Sequence, residues 1–138
     1  MAQIENGEAL KKLEELVKNQ GGDISYLEDT SKFERSKFIE QIMSIESGYI
    51  QEIECKEVGK IACELGAGRV RKEDKIDYNV GIVLCKKVGD KVEQGEVLAY
   101  IHANNEQKLE NAKKELLKNI KIENKIRDKE VAILEILE

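Results

Sequence analysis

The first twenty residues carry apolar side chains at the spacing of an α-helix. Apolar residues recur three and four positions apart, which predicts one amphipathic helix: Ala9, Leu10, Leu13, Leu16 and Val17. Asn6 is expected to cap the start of this helix, and Gly21-Gly22 to end it. Residues 23–37 are polar and weakly periodic, so we interpret them as a connector. A helix followed by a long connector indicates that residues 1–22 pack on something other than the domain that follows.

The pattern changes to that of β-strands after the connector. Residues 38–45 and residues 49–54 predict two strands. Residues 55–65 then show helical periodicity, and Gly66 is expected to stop that helix. The clearest alternation in the chain spans residues 76–84 and predicts a strand with one apolar face: Ile76, Tyr78, Val80, Ile82 and Leu84.

The remaining residues predict a helix between short strands. Residues 97–102 read as a strand, and Asn104 or Asn105 is expected to cap the helix that follows. That helix has one apolar face: Leu109, Ala112 and Leu116. Residues 120–122 and 131–137 predict one or two closing strands.

The order of these elements predicts one α+β domain over residues 38–138, with a mixed sheet and flanking helices. The chain has 138 residues, enough to bury a core, and 41% of them are hydrophobic. Acidic residues number 28 and basic residues 23, so the net charge of −5 does not favour binding to nucleic acid or an anionic membrane. No stretch approaches the ~20 apolar residues of a membrane helix, and residues 1–7 lack the pattern of a secretory signal. We therefore expect a cytoplasmic protein without nucleic-acid or membrane partners.

The cysteines and the single histidine predict no metal site. Cys55, Cys63 and Cys85 are odd in number and widely spaced, which is typical of reduced thiols, and we interpret them as partly buried small hydrophobes. Together with His102 they show no zinc-like spacing. The titration range of histidine suits acid–base chemistry, but no Ser, Cys or Asp lies beside His102 in sequence. We interpret it as a polar residue at the end of a strand.

A glycine-rich basic segment is the first candidate site. Gly66 and Gly68 are followed by Arg69, Arg71 and Lys72. Glycines can expose backbone N–H groups to a phosphate, but these follow a predicted helix end, where the helix dipole is negative. A dinucleotide-binding fingerprint would also need glycine at position 71. The segment is either a simple helix-stop turn or a basic loop that faces an anionic ligand held mainly by another domain. The acidic residues after it are interpreted as solvated charges: Glu73, Asp74 and Asp77.

Residues 88–98, Val-Gly-Asp-Lys-Val-Glu-Gln-Gly-Glu-Val-Leu, resemble the hammerhead turn of biotinyl and lipoyl carrier domains. Gly89-Asp90 and Gln94-Gly95 are turn signals within this segment. Carriers attach their cofactor to a lysine at a hairpin tip, whereas this chain reads His-Ala-Asn-Asn after Ile101. The resemblance thus implies a barrel-sandwich scaffold, and we expect no biotin, lipoate or other cofactor. One interpretation of the function is a free-standing interaction module without a cofactor lysine.

A longer series of motifs stands in the order found in one enzyme family. The motifs are Asn6-Gly7 with Ala9-Leu10, Asn19-Gln20-Gly21-Gly22-Asp23, Gly48-Tyr49-Ile50, Leu65-Gly66-Ala67-Gly68-Arg69, Lys72-Glu73-Asp74-Lys75-Ile76-Asp77, Val80-Gly81-Ile82-Val83-Leu84, Lys86-Lys87-Val88-Gly89-Asp90-Lys91-Val92 and Gly95-Glu96. Together, over about residues 7–122, they resemble the C-terminal part of pyrimidine-nucleoside phosphorylases. A collinear set of this length is more specific than any single motif.

The resemblance implies an α/β-hammerhead domain that works as part of a larger enzyme. In the family, phosphate attacks the sugar C1′ of a pyrimidine nucleoside and releases the base and a (deoxy)ribose 1-phosphate. The family's phosphate motif, Thr-Gly-Gly-Thr-x-Asp-Lys, needs two threonines, and Thr30 is the only threonine here. No catalytic residue is therefore expected in this chain, and phosphate and nucleoside would be substrates of the parent enzyme only.

The resemblance also implies the partners of the chain. They are the N-terminal helical domain and the α/β domain of the same enzyme, which in the family forms homodimers. Residues 1–22 would belong to the preceding α/β domain. In the family the C-terminal domain flanks the active-site cleft and helps to close it, which excludes water. We predict that the loop over residues 66–74, led by Arg69, approaches that cleft.

Overall fold

The structure, a computed structural model, describes residues 2–126 in two units. The first unit ends at Arg35 and the second begins at Ser36. The strand predicted over residues 131–137 lies outside the described residues. Among the described helices, none is long and apolar enough to cross a membrane.

The first unit contains the predicted amphipathic helix and three shorter helical turns. Its elements are α1 (Ala2–Glu5), α2 (Glu8–Asn19), α3 (Ser25–Glu28) and a 3₁₀ turn (Thr30–Lys32). The prediction of Asn6 as the cap of α2 was wrong by one residue, since the N-cap is Gly7 and no side chain caps the helix; Asn6 Oδ1 accepts the N–H of Glu8 at 3.0 Å. Gly21 ends the helix with a φ of 76°, a left-handed conformation that favours glycine. Within residues 3–35, no described side chain is buried, so this unit has no core of its own.

The second unit begins with two strands and a helix, as predicted. Its elements are β1 (Phe38–Met43), β2 (Gly48–Ile53), α4 (Cys55–Ala62), a π-helical turn (Cys63–Ala67), β3 (Gly81–Leu84), β4 (Lys91–Val92), β5 (Val97–Ala103), α5 (Glu106–Lys118) and β6 (Ile120–Glu123). This combination of helices and strands confirms the α+β class.

The strands form two small sheets with the orders β1-β5-β3 and β4-β2-β6. The described pairs are all antiparallel, so the prediction of a mixed sheet was wrong for this part of the chain. Parallel neighbours need a crossover connection of a dozen or more residues. Between β3 and β5 the chain forms no such crossover. It forms β4 and two turns, at Gly89 and Gly95, whose φ angles are 91° and 83°. The chain therefore reverses direction and returns beside β3.

The core lies between the first sheet, β2 and the helices α4 and α5. Its largest fully buried side chains are Ile50, Val92, Leu98, Ile101 and Leu116. The predicted face of α5 is confirmed, since Leu109, Ala112 and Leu116 are all buried. Asn105 caps this helix, because its Oδ1 accepts the N–H of Lys108 at 3.0 Å.

The strand predicted over residues 76–84 is much shorter than the alternation suggested. Only Gly81–Leu84 form β3. Tyr78 is 90% exposed while Val80 is only 8% exposed, so the five apolar residues do not share one face. The cause is a turn at Asp77, whose Oδ1 accepts the N–H of Asn79 at 3.0 Å. This side-chain bond holds the backbone in a turn where the apolar pattern alone favoured a strand.

Candidate functional site

The glycine loop, residues 66–74, follows directly on α4 and its π-helical turn. Gly66 has a φ of 122°, a conformation that side chains rarely adopt, and it ends the helix as predicted. Its carbonyl accepts the N–H of Asp77 at 2.9 Å, which closes the base of the loop. A Cβ at Gly68 would lie 2.5 Å from Sγ of Cys63, so glycine allows close packing there. Both glycines thus shape the loop through the backbone.

Asp74 organises the tip of the glycine loop. Its Oδ2 accepts the backbone N–H groups of Val70 at 3.1 Å and of Arg71 at 2.7 Å. Asp74 was predicted to be a solvated charge, and in addition it orders the backbone of the loop. These amides are the groups that would cradle a phosphate, and the carboxylate of Asp74 already occupies them. With these two amides occupied, the exposed basic side chains are the remaining groups of the loop considered for anion recognition.

The basic side chains of the loop lie at the surface. Arg69, Arg71 and Lys72 are exposed, and within residues 2–126 none of the three forms an ion pair. A guanidinium group without a carboxylate partner keeps its donors available for phosphate oxygens. The structure thus places all five predicted site residues in one surface loop: Gly66, Gly68, Arg69, Arg71 and Lys72.

A shallow hollow of about 260 Å³ lies beside the loop. The predicted basic residues are not in its lining, which instead carries two other lysines, Lys75 and Lys108, and two acids, Glu64 and Asp74. Lys108 belongs to α5 and is far from the loop in sequence. A spacing pattern could not have placed it here, because the fold alone brings α5 to the loop.

Asp77 and Asn104 form a polar junction below the glycine loop. Asn104 Nδ2 donates to Asp77 Oδ2 at 2.7 Å, and Asp77 Oδ1 accepts the N–H of Asn79. The bond from Asn104 holds the pKa of the Asp77 carboxyl below its ordinary value, with smaller contributions from the Asn79 amide and the charge of Lys108. Asp77, predicted to be a solvated charge, is half-buried and has side-chain and backbone partners.

His102 has a partner that its sequence neighbours did not reveal. Its Nδ1 lies 3.4 Å from Oγ of the buried Ser36. The Ser36 hydroxyl donates to the carbonyl of Phe38 at 2.9 Å, so its proton is committed to the backbone. This pair therefore lacks the arrangement of an activated serine nucleophile.

The three thiols are free, as the sequence suggested. Cys63 is half-buried, but Cys55 and Cys85 are exposed, so interpreting them as small buried hydrophobes was wrong for those two. Cys55 is the first residue of α4, and Cys85 follows the exposed end of β3. Within residues 2–126, no group of His, Cys, Asp and Glu is arranged to hold a metal ion.

Comparison with known proteins gives one consistent family. The family model described as "Pyrimidine nucleoside phosphorylase C-terminal domain" matches residues 49–123, more than half of the chain. The pyrimidine-nucleoside phosphorylase of Bacillus subtilis (strain 168) is 48% identical over 103 residues, which are 75% of this chain and 24% of the relative. The enzyme of the same name from Geobacillus stearothermophilus is 44% identical over 119 residues, 86% of this chain and 27% of the relative. The chain therefore spans about a quarter of the length of the curated relatives it matches.

Proposed function

The chain belongs to the family of pyrimidine nucleoside phosphorylase C-terminal domains, and we propose that it is the non-catalytic domain that helps to close the active site of such an enzyme. The parent reaction would convert a pyrimidine nucleoside and phosphate into the free base and a (deoxy)ribose 1-phosphate in the cytoplasm. The observation that carries this proposal is the match of residues 49–123 to the family.

The hammerhead scaffold is part of the proposal. Both of its turns are held by backbone bonds: Gly89 N–H donates to the carbonyl of Ile50 in β2, and Gly95 N–H donates to that of Ser44, the residue after β1, each at 2.8 Å. Between the turns, Val92 is fully buried. A scaffold anchored in this way can present the glycine loop on a rigid support.

The helix α2 supports the proposal that residues 1–22 belong to a preceding α/β domain, with residues 23–37 as the connector to the domain over residues 38–138. The apolar side chains of Leu10, Leu13 and Leu16 are 52%, 43% and 54% exposed. The opposite face carries ion pairs within the helix, such as Lys11 with Glu8 at 2.8 Å. An isolated helix of this length is marginally stable in water, so its apolar stripe needs a covering partner. The missing helical and α/β domains of the same enzyme, within a homodimer, would supply that cover.

The glycine loop is the part of this domain that we assign to the cleft. Its cations form no ion pair within residues 2–126 and suit a phosphate held mainly by the other domains, and the bonds between Asp74 and two loop amides fix the backbone that carries them. Closure of the cleft would bring Arg69 toward the anionic substrate and exclude water.

A chimeric enzyme tests the proposed function. This chain replaces the region that it matches in the Bacillus subtilis relative, and the chimera is assayed with uridine or thymidine and inorganic phosphate. We expect phosphorolysis by the chimera, and none by the 138-residue chain alone, because the phosphate motif lies elsewhere. The relative truncated before the matched region is the control. A folded but inactive chimera would contradict the proposal and favour a free-standing interaction module, whereas turnover by the chain alone would show that it is an enzyme in itself.

Replacing Arg69 by alanine in that chimera tests the role of the loop. We expect a fall of about tenfold in kcat/KM for phosphate, because one charge-assisted hydrogen bond would be lost. Arg69 forms no ion pair within the described residues, so its removal should leave stability nearly unchanged. Lys114→Ala, an exposed change on α5, is the matched control. Unchanged kcat and KM in the Arg69→Ala chimera would exclude the loop from the cleft.

A further inference from the structure

Asn104 joins three segments of the second unit that lie far apart in sequence. Its side-chain N–H group donates to Asp77 at 2.7 Å, and its side-chain oxygen accepts the backbone N–H of Lys37 at 2.7 Å. Asp77 in turn donates its own backbone N–H to the carbonyl of Gly66 at 2.9 Å. A continuous chain of hydrogen bonds therefore runs from the start of the second unit to the base of the glycine loop.

The side-chain hydrogen bonds of Asn104 are not needed to cap the start of helix α5. The cap is supplied by the neighbouring residue Asn105, whose side chain binds the N–H of Lys108. Asn104 instead uses a donor and an acceptor at the same time, which an amide side chain can do and a carboxylate cannot. Both Asn104 and Asp77 are half-buried, where competition from water is reduced.

We propose that Asn104 is a positioning residue that couples the glycine loop to Ser36 and Lys37, the residues at which the second unit begins. Asn104 bonds both to Lys37, where the chain enters this unit, and to Asp77, which closes the base of the loop. These hydrogen bonds restrain the base of the loop relative to the backbone at Lys37, and so help to set the position of Arg69. The assignment of the loop to a substrate cleft rests on the proposed function, but the coupling itself is a property of this chain.

Variants of Asn104 test the coupling in the 138-residue chain. Asn104→Asp keeps the acceptor for Lys37 but loses the donor to Asp77 and places two carboxylates together. Amide hydrogen exchange, measured by NMR, should become about tenfold faster at Asp77 while that of Lys37 is preserved. Asn104→Ala should accelerate exchange at both amides.

The double variant Asp77→Asn with Asn104→Asp is the decisive measurement. It restores the hydrogen bond with donor and acceptor reversed, and it keeps the net charge of the chain. We expect exchange at residue 77 to return close to that of the unchanged protein. Asn111→Asp, the same chemical change on the exposed face of α5, is the control. Unchanged exchange in Asn104→Asp, or a double variant no better than the single one, would overturn the proposal.

Kinetics in the chimera separate this proposal from the proposed function. In an active chimera, Asn104→Asp should raise KM for phosphate several-fold and the double variant should restore it. Unchanged kinetics in an active chimera would overturn the positioning role. An inactive chimera with normal exchange behaviour in the chain would remove the proposed function and leave the coupling in place.

Discussion

Replacing Ile101 by alanine is expected to lower the free energy of unfolding by about 2–5 kcal/mol. Ile101 is fully buried in β5, the central strand of the first sheet. Its registered neighbours are Glu40 on β1 and Ile82 on β3, so strands on both sides limit how far the site can collapse. Most of the space left by the removed side chain should therefore remain as a cavity, which adds to the lost burial energy.

Urea unfolding of the 138-residue chain, followed by circular dichroism, measures this loss. Val83→Ala is the matched control, because Val83 lies on the edge strand β3 and is 53% exposed. Its truncation should cost about 0.5 kcal/mol or less. Equal losses of unfolding free energy in the two variants would show that Ile101 is not part of the packed core beneath the first sheet.

The sequence predicted correctly those elements whose apolar residues all pack against one continuous surface of the core. Helix α5 is an example, since its buried positions follow from the helical period alone. The segment around Tyr78 was predicted wrongly because alternation is a local pattern. The bonds that bend this segment run from Asp77 to Asn79 and to Gly66, and they compete with strand pairing. The spacing of apolar residues along the sequence carries no information about such hydrogen bonds.

The residue types of the candidate site could be predicted from the sequence, but the hydrogen bonds between residues distant along the chain could not. The basic residues of the glycine loop stand side by side in the sequence, so their charge pattern is visible without a structure. Asn104 was recognised only as one of two residues able to cap α5, because its partners Asp77 and Lys37 are distant along the chain. Side-chain chemistry identifies both Asn104 and Asn105 as possible caps of α5. Only the fold shows that Asn105 caps the helix, whereas Asn104 bonds to Asp77 and Lys37.

Two glycines give the last prediction, since the same substitution should act with opposite signs at the two sites. Gly48 is buried at the start of β2, and a Cβ there would lie 2.6 Å from the carbonyl oxygen of Glu123 and 2.9 Å from Cγ2 of Ile122. The pairing of β2 with β6 would have to open, so Gly48→Ala should destabilise the chain by about 1–3 kcal/mol. The neighbour that must give way is backbone, which cannot rotate aside as a side chain can.

Gly59→Ala is the companion change, in the interior of α4. Nothing lies within 4 Å of a Cβ built at Gly59, and its φ is not positive. Alanine should therefore stabilise the helix by about 0.4–1 kcal/mol, because it lowers the conformational entropy of the unfolded chain. Urea midpoints of the two variants test both signs in one experiment. If Gly48→Ala stabilised the chain as much as Gly59→Ala, the close approach of β6 to β2 would be wrong, since the lower entropy of the unfolded chain favours alanine at both sites.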